Sequence, residues 1–329
     1  MGELIGGIWQ RSDVAAVLSD GVLKRPPSIF RNWIGPHDDH GDRAARAFDA
    51  EADRYHLYVS LACPWAHRTI IMRNLKGLAG LVGMSVVHWH MGDEGWTFDP
   101  GPNVVPDSLN GATRLHQIYQ LADPQCTSRV TVPVLWDKKE RTIVSNESAD
   151  IIRMFNSAFD GVGAKAGDYY PQAQRAEIDK VNSRIYTNLN NGVYAAGFAG
   201  SQAAYEAAVE KVFDTLEWLE KRLSDRRFLL GEDLTEADIR LFTTLVRFDP
   251  VYFGHFKCNR RPIAGHPSLW RFTRDLYRHP DIRPTVNFQH IKAHYYGSHR
   301  WINPSGIVPV GPDLDFDDPT GLGSPLGEV

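Results

Sequence analysis

Cysteine is scarce in this chain of 329 residues. The three that occur, Cys63, Cys126 and Cys258, are too few and too widely spaced for a disulfide framework or a closed zinc site. They read as free thiols in a reducing compartment. No apolar run approaches the ~20 residues needed to span a bilayer, and residues 1–10 lack the basic start and apolar core of a secretory signal. A cytoplasmic protein without a membrane partner is expected. Neither sign of charge dominates, with 36 basic against 40 acidic residues and a net charge of −4, so composition gives no reason to expect a nucleic-acid partner. Among the thirteen histidines, His88 with His90 and His290 with His294 could face the same way, but no cysteine or acidic partner stands at ligand spacing. No metal is expected.

The length suits two globular domains, and 43% hydrophobic residues suffice for ordinary cores. Residues 1–50 mix aromatics with glycine, proline and charge, and read as an irregular arm packed on the body. Over residues 51–165 the texture is mixed. Tyr55–Leu61 is rich in aromatic and β-branched residues and predicts a strand; Pro64 opens a helix with Ile70, Ile71 and Leu75 on its apolar face and Gly77 as its stop. Met84–His90 reads as a second strand, Leu115–Leu121 as a helix, and Thr131–Trp136 with Thr142–Ser145 as a hairpin before a helix from Glu147 to about Phe155. This β-α-β-α-β-β-α order is that of a thioredoxin-like α/β domain. Between Met91 and Asn110 lies a stretch rich in Gly, Pro and Asp that carries Trp96 and Phe98, long enough to be either a functional or a disordered loop.

Residues 166–329 change to long helical patterns, at 174–190, 202–223, 236–247, 268–277 and 286–296, an all-helical second domain with a C-terminal tail. Thr235 and Asp238 fit a capping box opening the third of these helices, with Leu234 and Ile239 as a staple.

The chemistry centres on Cys63-Pro-Trp-Ala66. At the turn from strand to helix, free backbone N–H groups and the positive end of the helix dipole favour a thiolate, which makes Cys63 an activated nucleophile. A dithiol oxidoreductase needs a second cysteine where Ala66 stands, so the partner thiol must come from outside, and glutathione is the abundant cytosolic thiol. Val132-Pro133 occupies the place where a thioredoxin fold keeps a cis-proline, leaving the Val132 backbone to pair with an extended peptide such as glutathione. Ser145-Asn-Glu-Ser148 opens the next helix, where backbone N–H groups and the Ser148 hydroxyl can hold a carboxylate while Glu147 pairs with an ammonium group.

With these motifs in place the sequence resembles the glutathionyl-hydroquinone reductases, the Xi class of glutathione transferases. The resemblance runs from near Leu4 to near Val310. It rests on Phe30-Arg-Asn-Trp33, the block from Arg54 to Arg68, Gly95-Trp-Thr-Phe98, the block from Arg129 to Asp137, Ser145-Asn-Glu-Ser148, Asn191-Gly-Val-Tyr194, Ala237-Asp-Ile-Arg240, Arg247-Phe-Asp-Pro250 and His290-Ile-Lys-Ala-His-Tyr295. It implies glutathione-transferase architecture and a homodimer that reduces glutathionyl-hydroquinones with glutathione as co-substrate, releasing glutathione disulfide. It further implies Cys63 as nucleophile, Trp96, Arg129, Val132, Glu147 and Ser148 at glutathione, and Tyr194 and Tyr295 at the quinol, with His294 and Tyr296 as neighbours. A conjugating transferase or thioltransferase, and a non-catalytic module of the same fold, are the competing readings; the second would require a lost nucleophile.

Overall fold

The computed structural model describes residues 2–11, 18–19, 21–23, 26–35 and 46–319. Parts of the expected N-terminal arm and the end of the C-terminal tail lie outside them. The chain divides into two compact units, one of residues 1–13 with 26–167, the other of residues 14–25 with 168–329.

The first unit is built on a four-stranded mixed sheet. β1 (Gly2–Ile5) and β2 (Ile8–Arg11) form an N-terminal hairpin; β3 (Tyr55–Val59), β4 (Val82–Val86), the short β5 (Ser128–Arg129), β6 (Val134–Asp137) and β7 (Thr142–Ser145) come after it along the chain. The sheet order is β7-β6-β3-β4, β3 running parallel to β4 and antiparallel to β6. Every residue of β3 is buried, as a strand covered on both faces requires. Helices α1 (Pro64–Leu75), α2 (Leu115–Ala122) and α3 (Ser148–Ser157) accompany it.

Three strands of this unit differ in extent from the sequence expectation, with local reasons visible in the structure. The first strand stops at Val59 because Ser60 turns the chain, its carbonyl accepting the Cys63 N–H at 3.2 Å. The second runs Val82–Val86, not Met84–His90: beyond it the His88 N–H turns to the Thr97 carbonyl at 2.8 Å in the long loop. The hairpin strand begins at Val134, since Pro133 has no N–H to give the ladder. The arm is also less irregular than its composition suggested, because Gly6 and Gly7, both at positive φ, turn β1 back on β2.

The second unit is helical: α4 (Arg175–Ile185), α5 (Gly192–Gly197), α6 (Gln202–Arg222), α7 (Glu236–Arg247), α8 (Pro267–Tyr277) and α9 (Phe288–Ser298). Helix α7 is buried along its whole length and begins at the expected box, in which the Thr235 N–H and hydroxyl both donate to Asp238 Oδ2, at 2.9 and 2.8 Å. Two wide π-helical turns, Tyr186–Asn190 and Phe248–Tyr252, continue α4 and α7. The second accommodates Pro250, whose ring would clash in a regular α-helix. Helix α5 went unanticipated because Asn190-Asn191-Gly192 reads as a break.

Candidate active site

In the first unit the site begins where β3 gives way to α1. Cys63 is the N-cap residue, its backbone extended (φ −77°, ψ 122°) and Pro64 at the first helical position. Its carbonyl takes the first helical bond, from the His67 N–H at 3.0 Å, while its side chain makes no capping bond. The thiol instead donates to the Val132 carbonyl, Sγ to O 3.6 Å. It is half-buried, whereas the other two thiols are buried and pushed up by desolvation, Cys126 to about 11 and Cys258 to about 12. The Val132–Pro133 peptide is cis.

Helix α3 starts beside α1. Glu147 is its N-cap: Oε1 accepts the Ala149 N–H at 3.1 Å and Oε2 accepts the Ser28 hydroxyl at 3.0 Å. Ser148, buried, accepts from Arg68 Nη1 at 3.5 Å. Arg68 is itself buried and lies 4.5 Å over the Trp65 ring. It was quoted within the Cys63 block without a role, although a cation one turn and a half beyond a helix-start thiol was a readable signal.

Trp96 and Arg129 are held differently. Trp96 is buried in the long loop, its carbonyl accepting the Leu115 N–H at 2.9 Å, and Arg129 sits on β5 opposite Glu3 of β1. Thus the structure joins Cys63 to Val132, and Ser148 to the Cys63 helix through Arg68, while the N-terminal hairpin contacts the elements carrying Trp96 and Arg129.

In the second unit the hydroxyls of Tyr194 on α5 and Tyr295 on α9 hydrogen-bond to each other directly. A third, Tyr252 in the π-helical turn, stands 3.0 Å from the Tyr295 hydroxyl and was not anticipated; it lies two residues past the quoted Arg247–Pro250 block. Burial pushes Tyr252 and Tyr295 well above the usual tyrosine value of 10, against the opposing pull of the buried Arg247. Such phenols donate hydrogen bonds and are poor bases. Nearby, His255 Nε2 lies 3.2 Å from His299 Nδ1, and burial pulls His255 down to about 4 and His299 well below its usual value, so the pair is neutral at pH 7. His294 Nδ1 lies 3.3 Å from the Ser298 hydroxyl, and the Tyr296 hydroxyl donates to the Pro250 carbonyl at 3.3 Å. Among the described residues no group of three or more His, Cys, Asp or Glu side chains could hold a metal ion, and no helix is long and apolar enough to cross a membrane.

Residues 62–158 match the family described as "Glutathione S-transferase, N-terminal domain", and residues 202–275 match "Glutathione S-transferase, C-terminal domain". The chain is 55% identical over 322 residues to the glutathionyl-hydroquinone reductase YqjG of Escherichia coli, covering 98% of both chains. It belongs to the Xi-class glutathione transferases. A second relative, the glutathionyl-hydroquinone reductase PcpF of Sphingobium chlorophenolicum, is 55% identical over 95% of this chain and 96% of its own. The glutathione-bound structure of YqjG superposes with a TM-score of 0.89 at 54% identity, covering 97% of this chain and 98% of that one. The Xi transferase of Phanerochaete chrysosporium gives 0.84 at 52% identity, covering 88% and 97%. Membership of this Xi class makes the chain an enzyme of the glutathione transferase superfamily, with the α/β thioredoxin-like and all-α domains of that architecture.

Proposed function

We propose that this Xi-class enzyme reduces glutathionyl-hydroquinones to hydroquinones through a Cys63–glutathione mixed disulfide. The observation that carries the reading is the Cys63 thiol at the start of α1, uncommitted to capping and facing Val132, with Ala66 where a dithiol enzyme keeps its second cysteine. The names of the 55%-identical relatives support the substrate class. In this reading residues 51–165 bind glutathione, residues 166–329 supply the quinol side and the dimer contacts, residues 1–50 form an arm, and the protein works as a cytoplasmic homodimer.

The Cys63 thiolate attacks the glutathionyl sulfur, forming an S–S bond as the S–C(aryl) bond breaks. A bare aryl carbanion is a poor leaving group, so the quinol first ketonises, its ring carbon taking a proton; the departing electron pair then flows to oxygen and hydroquinone leaves. A second glutathione, as thiolate, attacks the mixed disulfide, giving glutathione disulfide and restoring Cys63. Trp96, Arg129, Val132, Glu147 and Ser148 hold the tripeptide, and Arg68 joins them through Ser148. Tyr194 and Tyr295 donate to the quinol oxygens, a role that suits the buried Tyr295 phenol, which holds its proton.

The test follows two reactions in the Tyr194→Phe/Tyr295→Phe double variant: hydroquinone release in a single turnover, and exchange of Cys63 with a simple glutathione mixed disulfide. Losing a donor to developing charge costs ~2.7–4 kcal/mol, about 10²–10³ in rate, and should appear in the first reaction alone. Equal losses in both would mean that the tyrosines support the fold or the glutathione site, and the mechanism would lose its distinguishing feature.

A further inference from the structure

The N-terminal hairpin reaches two separate parts of the proposed glutathione site. On one side β1 pairs with β5 in the register Glu3 to Arg129 and Leu4 to Ser128. The Gly6 N–H donates to Thr127 Oγ1 at 2.9 Å, the Gly7 N–H to the Cys126 carbonyl at 2.9 Å, and Gln120 Nε2 to the Gly7 carbonyl at 2.8 Å. On the other side β2 carries Trp9. Its indole N–H donates to the Asp93 carbonyl at 3.1 Å, and its ring stacks on His116 at 4.7 Å with an interplanar angle of 16°.

Asp93 lies in a turn closed by the Gly95 N–H on the Gly92 carbonyl, at 3.1 Å. Gly95 has φ +69°, and a Cβ there would come within 2.8 Å of the Trp9 ring, so the ring and the turn fit only with glycine at this position. Trp96 is the next residue. The Arg11–Asp93 ion pair beside it is about 70% exposed on both sides and adds little. Glu94 of the same turn pairs with Arg114 Nε at 2.6 Å, about half-exposed on both sides, so from the hairpin the grip on the turn is that of Trp9, with the Glu94–Arg114 pair holding the turn to the start of α2.

We infer that Trp9 is a positioning residue for glutathione binding: it clamps the 92–95 turn so that Trp96 is held at a fixed place relative to Arg129, the two being tied through one hairpin. This rests on the reading of Trp96 and Arg129 as glutathione contacts. The arm is then part of the binding apparatus for the co-substrate, although it touches none of the reacting atoms.

The experiment measures steady-state reduction of S-glutathionyl-hydroquinone, the adduct of benzoquinone and glutathione, with glutathione varied, in the full-length Trp9→Ala, Trp9→Phe and Trp96→Ala proteins. A stacked ring and an indole hydrogen bond together set the scale, so Trp9→Ala should raise the KM for glutathione about tenfold. Its kcat and the rate of Cys63 alkylation by iodoacetamide should stay near those of the wild type, which a general loss of fold would not allow. Trp9→Phe, keeping a ring and losing the N–H, should fall between. A wild-type KM in Trp9→Ala alongside a raised KM in Trp96→Ala overturns the inference alone, whereas a wild-type KM in Trp96→Ala overturns the underlying assignment of Trp96 and the inference with it. A parallel fall of kcat, alkylation rate and melting temperature in Trp9→Ala also counts against positioning. If Trp9→Ala does not fold, Trp9→Phe decides: a raised KM supports the clamp, and an unchanged one overturns it.

Discussion

Glu147 has two demands on one carboxylate. It caps α3 through Ala149 and accepts from Ser28, and the proposed function also asks it to meet the ammonium group of glutathione. These roles are compatible, because a carboxylate offers about four lone-pair sites and the two observed bonds use one on each oxygen. Glu147→Gln separates them. The amide oxygen can still accept the Ala149 N–H, so the helix start survives, while the charge is lost. Hydrogen bonds to charged groups are worth ~1.5–3 kcal/mol, so the KM for glutathione should rise about tenfold or more with a smaller change in kcat, as expected for binding equally present in ground and transition states. An unchanged glutathione dependence would leave Glu147 a helix cap and nothing else.

At the scale of elements, the box opening α7 makes the clearest stability prediction. Asp238 is buried and accepts from the Leu229 N–H at 2.8 Å as well as from the Thr235 N–H and hydroxyl. Burial pushes its carboxyl up to about 6, with these donors pulling the other way. Its folded value thus lies above the usual 3.8, so the folded state holds the proton more tightly. The contribution is fully present below about pH 4 and is lost as pH rises through 6, a swing on the order of 2–3 kcal/mol. Asp238→Asn cannot titrate, and its NH₂ group faces donors, which costs about 1–3 kcal/mol. Denaturant titrations of both proteins at pH 4 and pH 7 should show the wild type more stable at pH 4 and the gap narrowing toward pH 7. A gap that stays constant or widens with pH would refute the assignment. This box was legible in the sequence because its signal is local, four residues with one bonding pattern. The Trp9 clamp was not: Trp9 and Asp93 are far apart along the chain, and long-range contacts such as the pairing of β1 with β5 bring them together.

For the chain as a whole, what could be read in advance was whatever repeats a local rule. The strand-to-helix turn at Cys63, the long helices and the blocks shared with the Xi class all follow from neighbouring residues. Tyr252 escaped because a proline at position 250 disguises its helical turn, and the role of Arg68 because its partner Ser148 is distant along the chain and meets it only where α3 starts beside α1. The distribution of thiols, by contrast, was plain from composition and yields the last prediction. Cys126 and Cys258 are buried, with thiols pushed up to about 11 and 12, and position 66 is alanine, so neither buried thiol is suited to resolve a mixed disulfide at Cys63. In the proposed cycle an external glutathione does so, and the kinetics should be ping-pong. Mixed with S-glutathionyl-hydroquinone in the absence of glutathione, the enzyme should release one hydroquinone per chain and stop, its mass increased by a single glutathionyl group that peptide mapping places on Cys63. Adding glutathione should then discharge glutathione disulfide and restart turnover, and double-reciprocal plots over both substrates should give parallel lines. Continued hydroquinone release without glutathione, or a glutathionyl group found on Cys126 or Cys258, would mean that the chain contains its own resolving thiol and that the one-cysteine cycle is wrong.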